Sequence, residues 1–167
     1  MILKNLNKNF VVNFLLVLLI FLSDRLSKLY VISLDNKLNS SEIFSSKFLN
    51  IDLIWNQGIA FGLFSFDEIK LYNILTIIIL IIICIIAFMI IKSEGLKKYS
   101  LLMVFGGALG NFLDRLIYNA VPDFIDFHIG NFHWFIFNVS DIFITIGIIF
   151  MIISELIQKP KNNHESV

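Results

Sequence analysis

The sequence predicts a membrane-embedded α-helical protein that crosses the bilayer four times. Three observations lead there. Of 167 residues, 57% are hydrophobic and only 16% charged, where a soluble domain carries about a quarter charged residues. So small a globule could not hide that much apolar surface from water, so lipid is the natural solvent. Four runs approach or exceed the roughly 20 apolar residues that a spanning helix needs. Basic residues, finally, are divided unevenly between the segments that flank those runs. The formal net charge is zero, which gives nucleic acid no general attraction.

The first span covers about residues 10–33. Lys4 and Lys8 precede the run from Phe10 to Leu22, as in a signal sequence, but Ser23-Asp24-Arg25 follows and supplies no small-x-small cleavage site. An uncleaved helix is expected, with Asp24, Arg25 and Lys28 near its far end. The next segment, 43–66, does not read as a helix. In Leu49 to Asn56 the odd positions are apolar and the even ones mostly polar, a period of two that predicts a strand. Gly58 and Gly62 bracket Ile59-Ala60-Phe61, which suits a bend or a close backbone approach.

The second span is the unbroken run of about 71–91. Its Cys84, the single cysteine, can form no intramolecular disulfide and reads as a small packed or lipid-facing residue. The third, about 99–118, carries Gly106, Gly107 and Gly110. The aromatic segment 119–134 (Phe124, Phe127, Phe132, Trp134) is expected at the membrane interface. The fourth span is about 135–157, and Lys159 to Val167 form a polar tail. The whole chain, 1–167, reads as one integral membrane domain.

Lys4, Lys8, Lys92, Lys97, Lys98, Lys159 and Lys161 fall on one side of this arrangement, with only Glu94, Glu155 and Glu165 against them. The positive-inside rule then sets both termini in the cytoplasm and turns 34–70 and 119–134 outward.

Candidate functional residues follow from cost. Asp123, in Val121-Pro122-Asp123-Phe124, and Asp141, at the head of the fourth apolar run, put carboxylates at the edge of lipid. That is expensive enough to mark a functional site. Two such groups close together can share a proton and activate water against a peptide bond. Asp24 and Lys28, spaced i and i+4, can neutralise each other or snorkel to water. Gly106 and Gly110 make a small-xxx-small face for close helix approach, followed by Asn111, Asp114 and Arg115. Asp114 and Arg115 suit a polar clamp between helices, with the guanidinium forked onto the carboxylate and still donating to a nearby backbone carbonyl. Asn56, Asn111 and Asn138 can each donate an amide to the aspartates, and Asn138 and Ser140 can instead cap the fourth helix. His128, His133 and His164 have no ligand spacing, so no metal is expected. No G-x-S-x-G nucleophile turn is present.

Taken together, four blocks in order resemble lipoprotein signal peptidase, the bacterial signal peptidase II family, over nearly the whole chain. They are Asp24-Arg25-Leu26-Ser27-Lys28, Asn56 to Gly62, Gly106 to Arg115 running on to Val121-Pro122-Asp123-Phe124, and Phe137-Asn138-Val139-Ser140-Asp141. The resemblance implies a catalytic pair at Asp123 and Asp141. It implies support from Asn56, Gly58, Gly110, Asn111, Asp114, Arg115, Asn138 and Ser140, with Asp24 and Lys28 as further motif residues. It implies four transmembrane helices, an extracytoplasmic β-cradle and a short outer interfacial helix, in the bacterial cytoplasmic (inner) membrane. The activity implied is cleavage of diacylglyceryl-modified prolipoproteins just before the lipidated cysteine, by a monomer in membrane lipid, with no cofactor. Two positions depart from the family pattern. Ser140 stands where alanine is usual, and Asn119 where glycine is common; asparagine tolerates left-handed backbone angles.

Two other readings compete. A small non-enzymatic carrier or assembly factor could use the aspartates to bind a cation or proton. Intramembrane aspartyl proteases of another type use a G-x-G-D block, which this chain lacks.

Overall fold

The computed structural model describes residues 2–38, 42–58 and 69–157, with side chains from residue 8 in the first helix and from residue 71 in the second. Eight elements follow one another: α1 (Ile2–Leu38), β1 (Glu42–Ser45), β2 (Leu49–Asn56), α2 (Ile69–Lys92), α3 (Gly95–Tyr118), β3 (Val121–Ile129), β4 (Phe132–Phe137) and α4 (Val139–Ile157). All four helices contain a stretch long and apolar enough to cross a membrane. At about 1.5 Å per residue, the 37 residues of α1 far exceed a hydrocarbon core of roughly 30 Å, so the helix projects beyond it.

The bundle is polar inside and apolar outside, as lipid demands. On α1 the buried positions are Ile20, Asp24, Lys28 and Val31, one helical stripe that carries two charges. Leu19, Leu22, Leu26 and Leu29 of the same helix are exposed. The central element is α3, half buried over its span, whereas the others are mostly exposed.

Small residues let α3 take that place. A Cβ on Gly107 would sit 2.6 Å from the Ser140 carbonyl of α4, and one on Gly147 would sit 2.7 Å from the Ser100 carbonyl of α3. Both contacts are closer than real Cβ atoms approach, so glycine is required at the crossing. Ser140, Gly147 and Ser154 are the buried positions of α4, spaced by sevens along the seam with α3. The sequence-predicted face of Gly106 and Gly110 receives α1: Gly106 meets Ile20, and Gly110 meets Asp24 as well as Ser140 of α4. At the far end of the seam Lys97 pairs with Glu155 at 3.1 Å.

The strands form one antiparallel sheet in the order β1-β2-β3-β4. The period-two reading of 49–56 is β2, whose Leu53 packs with Val31 of α1 and Phe124 of β3 in a small apolar core. That core seats the sheet on the end of α1. Asn119 ends α3 in the left-handed region (φ 53°) and donates its N–H to the Arg115 carbonyl, so the chain turns directly into β3 without glycine.

The aromatic segment 119–134 lies mostly in the strands β3 and β4 and the turn between them, and β4 continues to Phe137, so α4 begins at Val139 rather than near 135. Cross-strand partners decide this: Ile125 pairs with Phe137 and Asp126 with Ile136, giving the backbone a ladder before the helix starts. The short outer helix is not among the described residues. Block residues Ile59 to Gly62 and the tail beyond 157 also lie outside them.

Candidate active site

Asp123 and Asp141 reach the same cavity from different elements. Asp123 sits near the start of β3, immediately after Pro122, and is 3% exposed. Asp141 lies in the first turn of α4. Asn138 joins them. Its side-chain amide donates to Asp123 Oδ1 at 2.6 Å, while its Oδ1 accepts the Asp141 backbone N–H at 3.2 Å. Asp141 Oδ2 in return accepts the Asn138 backbone N–H at 3.2 Å. This is the reciprocal geometry of a capping box, with asparagine at the cap and aspartate three residues later. The cap thus fixes one aspartate and reaches the other.

Each carboxylate has a further amide donor. Asn56 Nδ2 donates to Asp123 Oδ2 at 2.8 Å, and Asn111 Nδ2 donates to Asp141 Oδ1 at 2.9 Å. The orientation of both amides is set behind them. Asn56 Oδ1 accepts the Gly58 N–H at 2.8 Å, and the Gly58 carbonyl accepts Arg115 Nη2 at 3.0 Å. Asn111 Oδ1 accepts Lys28 Nζ at 2.7 Å. Because an ammonium only donates, it forces the Asn111 oxygen toward itself and leaves the NH₂ for Asp141.

Lys28 is fully buried; it also donates to Asp24 Oδ2 at 2.8 Å and forms an ion pair with Asp114 Oδ2 at 2.7 Å. Arg25 closes on the other oxygen of Asp114 and donates to the Tyr118 hydroxyl at 2.8 Å. Asp24 Oδ1 accepts the Ser140 backbone N–H at 2.8 Å, tying α1 to the head of α4. Asp24 and Lys28 therefore pair inside rather than snorkelling. Asp114 and Arg115 do not pair with each other. Successive residues on a helix point about 100° apart, so Asp114 faces the α1 cations while Arg115 faces the Gly58 and Asn111 carbonyls. Arg25 and Tyr118 are partners that sequence reasoning did not single out; the adjacency of Arg25 to Asp24 was the available signal.

Charge bookkeeping fits a shared proton. Three cations (Arg25, Lys28, Arg115) face four carboxyl groups (Asp24, Asp114, Asp123, Asp141) in the buried cluster. One proton on the aspartate pair makes the cluster neutral, which buried charge favours. The Asp123 carboxyl is pushed up to about 7, by burial first and by the nearby Asp141 second, against the amides of Asn56 and Asn138.

The cavity holds about 420 Å³. Its polar end carries Asn56, Asn111, Arg115, Asp123, Asn138 and Asp141. Its walls are Ile79 and Ile82 of α2, Ala108 of α3, and Ile144, Thr145 and Ile148 of α4. The arrangement can bring a proton donor, a proton acceptor and a water to one bond at the edge of an apolar slot.

Known proteins agree on the family. A family model described as signal peptidase (SPase) II matches residues 16–157. A lipoprotein signal peptidase of Pelagibacter ubique (strain HTCC1062) is 49% identical over 95% of each chain. That of Anaplasma phagocytophilum (strain HZ) is 39% identical over 84% of this chain and 88% of its own. Two solved structures of a bacterial membrane enzyme align at TM-scores of 0.73 and 0.75, with 31% and 29% identity. The alignments cover 93% and 89% of this chain, and 94% of each of theirs. With the family match spanning four helices and the sheet between them, this chain belongs to the signal peptidase II family.

Proposed function

We propose that this chain is an aspartyl endopeptidase of the bacterial inner membrane. It removes the signal peptide from diacylglyceryl-modified prolipoproteins, cleaving before the lipidated cysteine. The family membership supports the reaction and the substrate class. The observation that carries the chemistry is the bridging of Asp123 and Asp141 by Asn138 at the polar end of an apolar cleft.

In this reading Asp123 holds the proton of the pair and Asp141 is ionised. Asp141 takes a proton from water as the water oxygen attacks the scissile carbonyl carbon, and Asp123 gives its proton to the carbonyl oxygen. The tetrahedral diol then collapses. The C–N bond breaks as Asp141 gives its proton to the leaving amine and Asp123 takes one back from a diol hydroxyl, which restores the original protonation state. Acyl chains of the substrate lie against Ile79, Ile82, Ile144 and Ile148, which sets the bond beside the aspartates. Asn56, Asn111 and Asn138 hold the carboxyls without adding charge, and Gly58 with Arg115 fixes the Asn56 amide. The sheet serves as an extracytoplasmic cradle, both termini are cytoplasmic, and the chain acts as a single monomeric membrane domain.

The test is cleavage of a diacylated prolipoprotein by purified protein, read as the mass lost with the signal peptide. Asp123→Asn and Asp141→Asn should each lower the rate by at least about 10²–10⁴-fold while leaving the protein folded and inserted. Near-normal cleavage by both variants would refute the pair. Cleavage of the unlipidated precursor at the same rate would refute the role given to the acyl chains. Absence of cleavage with saturable cation binding would favour a carrier.

A further inference from the structure

A second polar cluster lies on the sheet, apart from the aspartate pair. Asp126 and His128 come from β3 and His133 from β4, where His128 and His133 are direct cross-strand partners. Their rings stack with centroids 5.0 Å apart. One ligand atom from each of Asp126, His128 and His133 lies within 4.8 Å of the others.

The cluster is short of donors. Asp126 is 3% exposed, and its Oδ2 is met by Asn50 at 3.2 Å and His133 Nδ1 at 2.8 Å. Its Oδ1 is buried with no hydrogen-bond partner among the described residues, and so is His128 Nδ1. A buried carboxylate oxygen without a donor is costly. Asp52, on β2, likewise has a buried Oδ1 with no hydrogen-bond partner among the described residues. The local need is for positive charge.

We propose that Asp126, His128 and His133 form a binding site for a zinc-class divalent metal ion on the sheet. The donor set, two imidazoles and a carboxylate, is one that borderline metals accept. At metal–ligand lengths of about 2.0–2.2 Å, tetrahedral ligand atoms stand roughly 3.4 Å apart, so the present cluster has to tighten modestly. The His133 side chain is 53% exposed, so a small shift of its ring does not unpack the core. Such a set leaves one position for water. An ion here would tie β3 to β4 three residues beyond Asp123. The function proposed above does not depend on it.

The experiment is calorimetric titration of Zn²⁺ alone into untagged, metal-stripped protein in detergent, beside His128→Ala, His133→Ala and Asp126→Asn. Thermal melts check that each variant is folded. One saturable site per chain is expected, with affinity falling about 100-fold or more in both histidine variants, beyond the 10–100-fold typical of lost outer partners. Co²⁺ in place of Zn²⁺ should show tetrahedral visible absorption in the parent and lose it in His133→Ala. No saturable Zn²⁺ binding in the parent overturns the proposal. Equal binding in parent and both histidine variants overturns it too, by placing the ion elsewhere. Should Asp126→Asn melt below the working temperature, the two histidine variants decide.

Discussion

Asn138 does three jobs with one side chain and its own N–H: it caps α4, fixes Asp141 and donates to Asp123. An amide can do this because it carries donor and acceptor together without charge. The pair it holds gives a pH prediction. Asp123 must keep its proton, and its carboxyl titrates at about 7. Above that pH the proton leaves and the donor is lost, so kcat/KM for a lipidated precursor should fall as pH rises through about 7. At low pH the second carboxyl also protonates and the base is lost, giving a bell. A flat profile from pH 6 to 9 would contradict the assignment. Ser140 gives a stability prediction. Its hydroxyl is buried with no hydrogen-bond partner among the described residues, while its N–H serves Asp24. Ser140→Ala keeps the N–H and removes the unpaired oxygen, so melting in detergent should be unchanged or raised, by up to about 1 kcal/mol. A clear loss would mean that the hydroxyl has a partner.

Helix α3 organises the other elements. One face takes the α1 cations through Asp114, another takes the head of α4 through Gly107, and Asn111 and Arg115 look into the cavity. The glycines are what let α1 and α4 both approach one helix. Gly107→Ala would press a methyl group onto the Ser140 carbonyl and the Ile144 side chain. It should destabilise by about 1–3 kcal/mol, read as a lower midpoint in a detergent melt. It should also disturb Asp141, one residue along α4. Wild-type stability in that variant would show that the α3–α4 seam is looser than described. The sequence made the glycine stripe and the polar residues after it legible, because small residues and charges in an apolar run are conspicuous. It did not show that Asp114 and Arg115 serve different partners. Adjacent residues share no face on a helix, and which neighbour each face meets depends on how three helices cross.

For the molecule as a whole, the uneven placement of lysines and the position of the sheet make one topology. Lys47 and Glu94 are both exposed, one in the turn between β1 and β2 and the other between α2 and α3. In a Cys84→Ser background, Lys47→Cys should react with a membrane-impermeant maleimide in intact spheroplasts. Glu94→Cys should react only after the membrane is opened. The reverse pattern would invert the orientation drawn from the positive-inside rule. The sheet carries two separate polar clusters on one strand, Asp123 at the cavity and Asp126 beside His133.

By itself, the sequence determined the solvent, the four spans, the strand at 49–56 and the family, since all follow from local composition, periodicity and ordered motifs. It also marked Asn56, Asn111, Arg115, Asp123, Asn138 and Asp141, which the polar end of the cavity brings together, because polar groups in lipid are too costly to be incidental. Only the tertiary structure decided the pairings. The turn of 119–137 into a hairpin, the partner of Lys28 on each of three oxygens and the meeting of Asp126 with two histidines are contacts between distant or cross-strand residues. Periodicity within one segment carries no information about which other segment will lie against it.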